Sequence, residues 1–240
     1  MEFWDNKLFY RKFFNCPFFY LLMEEIFLGV DEAGKGPVIG PMVIAGCLIT
    51  KEAQTELKKL GVKDSKQLTA KRREFLVGEI KKRVLDYEVV VISADEIDEF
   101  QEKKINLNEM EAIVCSKIIN QLNKGDKKIS VVVDCPSIGI LKWKESLKAK
   151  IDNLSNLTVS CEHRADANHI CVSVASILAK SKREEEMNKL KEIYGEEIGS
   201  GYSSDPNTQK FVEKYCVKYA DKGIFRKCWD TWKNACQKTL

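Results

Sequence analysis

A chain of 240 residues, 44% of them apolar, can bury one ordinary core with room for a small appendage. Its formal net charge of +3 is too small to establish a nucleic-acid partner, and no apolar run approaches the roughly 20 residues needed to span a bilayer. The nine cysteines are odd in number and form no C-x-x-C pair, and Cys47, Cys115 and Cys171 sit in apolar runs; this reads as reduced thiols in a cytoplasmic protein rather than a disulfide framework.

Residues 1–22 carry nine Phe, Tyr or Trp but neither a clean apolar h-region nor a small-residue cleavage site. They read as an extension outside the fold, upstream of a natural start at Met23; a membrane-surface anchor is the sharper alternative. Ile26 to Val30 is apolar and partly β-branched, a buried strand that ends at Asp31. Gly34 to Pro41 holds three Gly and two Pro and must turn, and Met42 to Ile49 is the next strand. Thr69 can cap a helix whose Leu76, Ile80 and Val84 recur every four residues. Glu88 to Ile92 is strand, Asn108 to Leu122 a buried helix, Ser130 to Val133 a strand ending at Asp134, and Leu157 to Ser160 a weaker strand. Ile170 to Tyr194 is a long helix, apolar first and charged later. Phe211 to Tyr219 is a final helical stretch, followed by a short aromatic tail. The first two strands are close enough to pair antiparallel, whereas later strands alternate with helices and favour parallel crossovers. The expected fold is therefore α/β, a mixed sheet flanked by helices.

Acidic residues stand out at three places in the chain. Asp31 and Glu32 end the first strand, Asp134 ends a strand of pure valine, and Asp166 lies in a polar turn before the long helix. Sites in open α/β sheets form outside strand ends. Carboxylates gathered there repel one another unless a cation neutralises them, and hard cations such as Mg²⁺ take oxygen ligands. Two such ions about 4 Å apart can activate a water and stabilise the leaving oxygen of an in-line displacement. A single Asp in such a place is ordinarily a turn cap; the pattern as a whole points to a metal-dependent hydrolase. Gly34-Lys35-Gly36-Pro37 brings a backbone that can approach a ligand and a cation that can reach phosphate, without Walker A spacing. Cys161, His163, His169 and Cys171 could be imagined around zinc, but the one-residue gaps are unlike finger spacings and packing thiols are the better reading. From Pro206 to Leu240, eight Lys/Arg face three Asp/Glu, a basic excess suited to a phosphate backbone or to a solvated helix face.

Taken together, Asp31-Glu32-Ala33-Gly34-Lys35-Gly36-Pro37 with Gly40-Pro41 resembles the opening signature of ribonuclease HII. Four further blocks follow in that family's order: Asp64 to Leu68; Val131 to Asp134; Ala165-Asp166 leading to Ala175 through Lys180; and Gly199 to Pro206. The last block, with Arg226-Lys227-Cys228-Trp229, is similar to the archaeal branch. The resemblance implies a ribonuclease H-like five-stranded mixed sheet with helices and a C-terminal helical extension. It divides the chain into the extension 1–22, a catalytic domain 23–202 and a basic helical extension 203–240. It also implies a monomeric endonuclease that cuts the RNA strand of RNA–DNA hybrids and incises 5′ of ribonucleotides in duplex DNA, with Mn²⁺ or Mg²⁺. The implied metal and catalytic acids are Asp31, Glu32, Asp134 and Asp166. The implied substrate contacts are the turn Gly34, Lys35 and Gly36 at the 2′-hydroxyl, Tyr202 at the junction, and Lys66, Lys180 and Arg183 near phosphates. Lys35 stands where the family commonly has Arg, and Ser203 where it usually has Pro. A hybrid-binding module without catalysis is disfavoured by the full set of acids, and a junction resolvase by the loop and tyrosine blocks.

Overall fold

The computed structural model describes residues 25–62, 68–125 and 127–239, so the expectations for residues 1–22 and for Lys66 lie outside the described residues. Five strands form one mixed sheet in the order β3-β2-β1-β4-β5. They are β1 (Ile26–Ala33), β2 (Met42–Thr50), β3 (Asp86–Ile92), β4 (Ile129–Asp134) and β5 (Leu157–Glu162). β1 pairs antiparallel with β2 and parallel with β4, which in turn pairs parallel with β5.

The central strands read as unbroken apolar runs because both of their faces are covered. On one face Leu28, Val30, Met42 and Ile44 pack with Met110, Val114 and Ile118 of helix α4 (Leu107–Leu122). On the other face Val43, Ala45, Cys47 and Ile49 pack with Val172, Ala175 and Leu178 of helix α7 (Ile170–Tyr194). Each fully buried Val, Leu or Ile contributes roughly 1.5–3 kcal/mol to this sandwich. Gly29 sets how close α7 can lie: a Cβ there would stand 2.2 Å from the Cys171 carbonyl carbon.

Helices α1 (Lys51–Lys59) and α2 (Ala70–Lys81) join β2 to β3. Thr69 caps α2 as the sequence suggests, its hydroxyl accepting the Arg72 amide at 3.3 Å. β3 runs antiparallel to β2, from Met42↔Ile92 to Leu48↔Asp86, which corrects the expectation of a parallel crossover at this point. The reason is that two helices, not one, make the connection. They return the chain to the end of β2 that it left, where the Leu85 amide bonds the Leu48 carbonyl at 2.9 Å. The helices α3 (Ala94–Glu102), α5 (Ile140–Lys148) and the one-turn α6 (Ala165–Asn168) complete the crossovers to and from β4 and β5.

Beyond α7, helix α8 (Pro206–Tyr215) brings Phe211 and Val212, helix α9 (Asp230–Thr239) brings Ala235, and the segment between them brings Ile224 and Phe225 to one small core. Their partners are Val38 and Ile39, from the loop after β1, and Met187 of α7. Ile39 and Phe225 form an antiparallel bridge. α9 occupies the stretch read from sequence as an aromatic tail, because Trp232, Ala235 and Cys236 turn inward at helical spacing.

Candidate active site

The parallel pairing of β1 with β4 ends at Val30↔Val133, so Asp31 and Asp134 are the next residues at the C-terminal ends of adjacent strands. Glu32 follows. Among the described residues, Asp31, Glu32 and Asp134 form the one group whose ligand atoms all lie within 4.8 Å of one another. Adjacent strand residues ordinarily face opposite ways, so adjacent carboxylates serving one site lead to the expectation that the backbone leaves strand geometry at Glu32. The structure corrects it: β1 keeps its pairing with β2 through Glu32↔Ile44 to Ala33↔Val43. Glu32 keeps the side of Leu28 and Val30, facing α4, and Asp31 the side of Gly29, facing α7. The Asp31 side chain folds along the strand edge and accepts the Glu32 amide at 2.7 Å. It also bonds the Ser176 side chain on α7.

Asp134 is fixed from the other direction, its Oδ1 accepting the Ala165 amide at 2.9 Å at the start of α6. Asp166 is the next residue and is buried, but its carboxylate is not one of the three gathered within 4.8 Å. The electrostatics are those of a crowded anionic site. Burial, then the Glu32 charge, pushes the Asp31 carboxyl well above the usual range. Burial, then Glu111 and Asp134, pushes Glu32 up to about 7. An all-oxygen donor set whose members resist ionising together suits a hard divalent cation.

Beside the acids runs an open groove of about 540 Å³, lined by Glu32, Gly34, Lys35, Gly36, Lys180, Arg183 and Tyr202 among others. Six of the seven residues expected to touch substrate therefore share one wall system with Glu32. Tyr202 is 39% exposed, and the Arg183 guanidinium stacks over its ring at 5.0 Å. Arg183 also donates to the Ser200 carbonyl at 3.1 Å. Arg73, Asn188 and Lys191 line the groove too; their helical surroundings gave no sequence signal beyond ordinary surface charge.

The turn itself is gripped from behind. Arg226, fully buried, donates Nη2 to the Gly34 carbonyl at 2.6 Å, Nη1 to the Lys35 carbonyl at 2.7 Å and Nε to the Gly40 carbonyl at 3.1 Å. Trp229 donates to the Gly36 carbonyl at 3.2 Å. Gly201 completes the frame, its carbonyl accepting the Val38 and Ile39 amides at 2.8 and 3.2 Å. Gly201 has φ +84°, and a Cβ there would lie 2.5 Å from the Ile39 carbonyl oxygen, so this contact needs glycine.

The zinc idea finds no support in the described residues. His169 pairs with Glu162 at 2.9 Å, His163 with the Cys135 carbonyl at 3.1 Å, and Cys161 and Cys171 are buried packing thiols.

Comparison with known proteins shows the family and the fold. The family model described as Ribonuclease HII matches residues 28–232. Ribonuclease HII of Methanocaldococcus jannaschii is 42% identical over 230 residues, covering 89% of this chain and 96% of its own length. The crystal structure of ribonuclease H2 from Pyrococcus horikoshii superposes with a TM-score of 0.79 at 39% identity, covering 89% of this chain and 98% of that one. The ribonuclease HII in a complex with PCNA from Archaeoglobus fulgidus gives a TM-score of 0.76 at 37% identity, with the same coverage. A more distant ribonuclease HIII, solved with Mn²⁺, shares the fold at 20% identity and a TM-score of 0.73.

Proposed function

The chain belongs to the ribonuclease HII family of divalent-metal-dependent endonucleases acting on RNA–DNA hybrids, and from that premise we propose the finer reaction and the residues that carry it. The enzyme hydrolyses the RNA strand of hybrids and cuts 5′ of ribonucleotides embedded in duplex DNA. Water adds to phosphorus, the bond to the 3′ oxygen breaks, and the products end in 3′-hydroxyl and 5′-phosphate. The observation that carries this reading is the meeting of three carboxylates within 4.8 Å beside a groove lined by Gly34, Lys35, Gly36 and Tyr202.

Asp31, Glu32 and Asp134, with Asp166, would hold Mg²⁺ or Mn²⁺. Bound divalent ions supply a nucleophile at neutral pH and relief of charge on the leaving oxygen. The protein's own residues do the rest. The carbonyls of Gly34, Lys35 and Gly36 all point back into Arg226 and Trp229, which leaves the other side of this turn for the ribose 2′-hydroxyl. Recognition and chemistry are adjacent because the turn begins two residues after Glu32. Tyr202, steadied by Arg183, offers its ring to the neighbouring sugar. Lys180 and Arg183 offer charge to the phosphates along the groove.

The test is cleavage of a duplex carrying one ribonucleotide, compared with a long hybrid, in Mg²⁺ and in Mn²⁺. Tyr202→Ala is expected to lose rate and the preference between these substrates, while Tyr202→Phe keeps much of both. An unchanged preference in Tyr202→Ala would make the tyrosine a packing residue.

A further inference from the structure

Lys35 is not a free cation in the groove. Its ammonium donates at 2.8 Å to Glu111 Oε2 and at 2.8 Å to Asn108 Oδ1, both on α4. The Lys35 side chain is 30% exposed, whereas that of Glu111 is 2% exposed, so the pair ties the substrate-facing turn to the interior. The neighbours of Glu111 along α4 are core residues: Met110, Ala112, Val114 and Cys115 are all buried. A carboxylate in such a row is costly unless its oxygens are matched. Lys35 matches one. Glu111 Oε1 is buried with no hydrogen-bond partner. A methionine or leucine would satisfy this position more cheaply if packing were the only demand.

Across from α4 stands the acid cluster. Glu32 lies on the α4 side of β1, and Glu111 is the strongest charged influence on it. Glu111 thus shares the α4 side of the sheet with Glu32, with one oxygen committed to the turn and the other without a hydrogen-bond partner. Its charge adds to the field that attracts a divalent cation, and its other contact sets the Lys35 end of the turn.

We infer that Glu111 is a positioning residue that couples divalent-cation binding at Asp31, Glu32 and Asp134 to the setting of the Gly34-Lys35-Gly36 turn. This rests on the proposed reading of the site. Lys35 serves chiefly as the strut of that coupling rather than as a mobile phosphate contact.

The experiment titrates Mn²⁺ into the full chain by calorimetry without nucleic acid, at one fixed, mildly alkaline pH for all variants. Wild type must bind Mn²⁺ and cleave; failure there overturns the reading of the site itself, and this inference with it. With wild type binding, Glu111→Gln is expected to weaken Mn²⁺ about tenfold, as loss of an outer carboxylate does, and to reduce selectivity for the single-ribonucleotide duplex over the long hybrid. Asn108→Ala removes the neutral partner of Lys35 and leaves the charge. It is expected to hold Mn²⁺ affinity within about twofold of wild type, well short of the loss expected for an outer carboxylate, while selectivity falls. If Glu111→Gln lowers the melting temperature but leaves Mn²⁺ affinity unchanged, Glu111 is a packing residue and the inference is wrong. Should Glu111→Gln not fold, Glu111→Asp is read in its place: weakened Mn²⁺ binding or lost selectivity supports the coupling, and no change in either overturns it.

Discussion

Arg226 is a fully buried cation whose side-chain bonds are to main-chain carbonyls. Burial draws its guanidinium down to about 10, still charged at neutral pH. Only the planar fork of arginine can meet carbonyls that far apart along a turn with one side chain. Arg226→Ala would leave the Gly34, Lys35 and Gly40 carbonyls unpaired, at roughly 1–3 kcal/mol each. A loss of at least about 3 kcal/mol in denaturant unfolding is therefore expected. A loss below about 1 kcal/mol would mean that water replaces the guanidinium without cost. This residue also marks how far single positions could be read from sequence. Asp31, Glu32 and Asp134 were legible because they close apolar strand runs, where a charge has no packing purpose, whereas Asp166, in a polar turn, was named by its place before the long helix and by the resemblance. Arg226 was visible only as part of the Arg226-Lys227-Cys228-Trp229 block, because in a tail of eight Lys/Arg composition does not tell a buried guanidinium from a solvated one. Glu111 was hidden likewise, in a helix whose other acidic residue, Glu109, faces solvent and Lys150.

Among the elements, the C-terminal segment has a structural part that its basic composition does not suggest. Residues after Tyr219 include Arg226 and Trp229, which shape the turn, and Phe225, which pairs with Ile39. Ending the chain at Tyr219 is thus expected to lower the single-turnover rate at saturating substrate as well as binding. A shortened protein that loses affinity alone, with its saturated rate intact, would restore the tail to a simple electrostatic role. A second element-level expectation concerns the β1–α7 contact. Gly29→Ala drives a methyl to 2.2 Å from the Cys171 carbonyl carbon, where only backbone can give way. It should destabilise by well over about 1 kcal/mol, measured by thermal unfolding. Most elements were readable from periodicity and caps; the Ile170–Tyr194 helix matches its expected span. The short helices α1, α3 and α5, nine residues each, and the tail helix α9 were missed. In pieces so short the apolar side supplies only two or three residues, too few to establish a period. The direction of β3 depends on how many helices precede it, which the missing α1 concealed.

For the whole molecule, the acid cluster makes stability depend on pH and on cations together. Glu32 and Glu111 are raised from 4.5 to about 7. A carboxyl raised on folding binds its proton more tightly in the native state. Its favourable contribution is complete below the unfolded value and is lost as pH climbs through the folded one. Without divalent cations, the melting temperature should therefore fall between about pH 5 and pH 8. The exposed carboxylates that are lowered, such as Glu185 and Asp205, act at more acid pH and leave this window alone. Millimolar Mn²⁺ should raise the melting temperature more at the upper end of the window than at the lower, since binding to the native state adds stability by mass action. Equal shifts at both ends would mean that the cation is not held by these carboxylates.

On the proposed reading, this sheet end and groove form a metal-dependent centre that recognises a ribonucleotide and cuts on its 5′ side. The most direct test maps the ends produced from a labelled DNA duplex with one embedded ribonucleotide, using wild type and Asp134→Asn. The expected result is a single nick that requires Mn²⁺ or Mg²⁺, leaves 3′-hydroxyl on the deoxynucleotide and 5′-phosphate on the ribonucleotide, and disappears in Asp134→Asn. A nick on the 3′ side of the ribonucleotide, a cyclic phosphate end, or undiminished cutting by Asp134→Asn would contradict it.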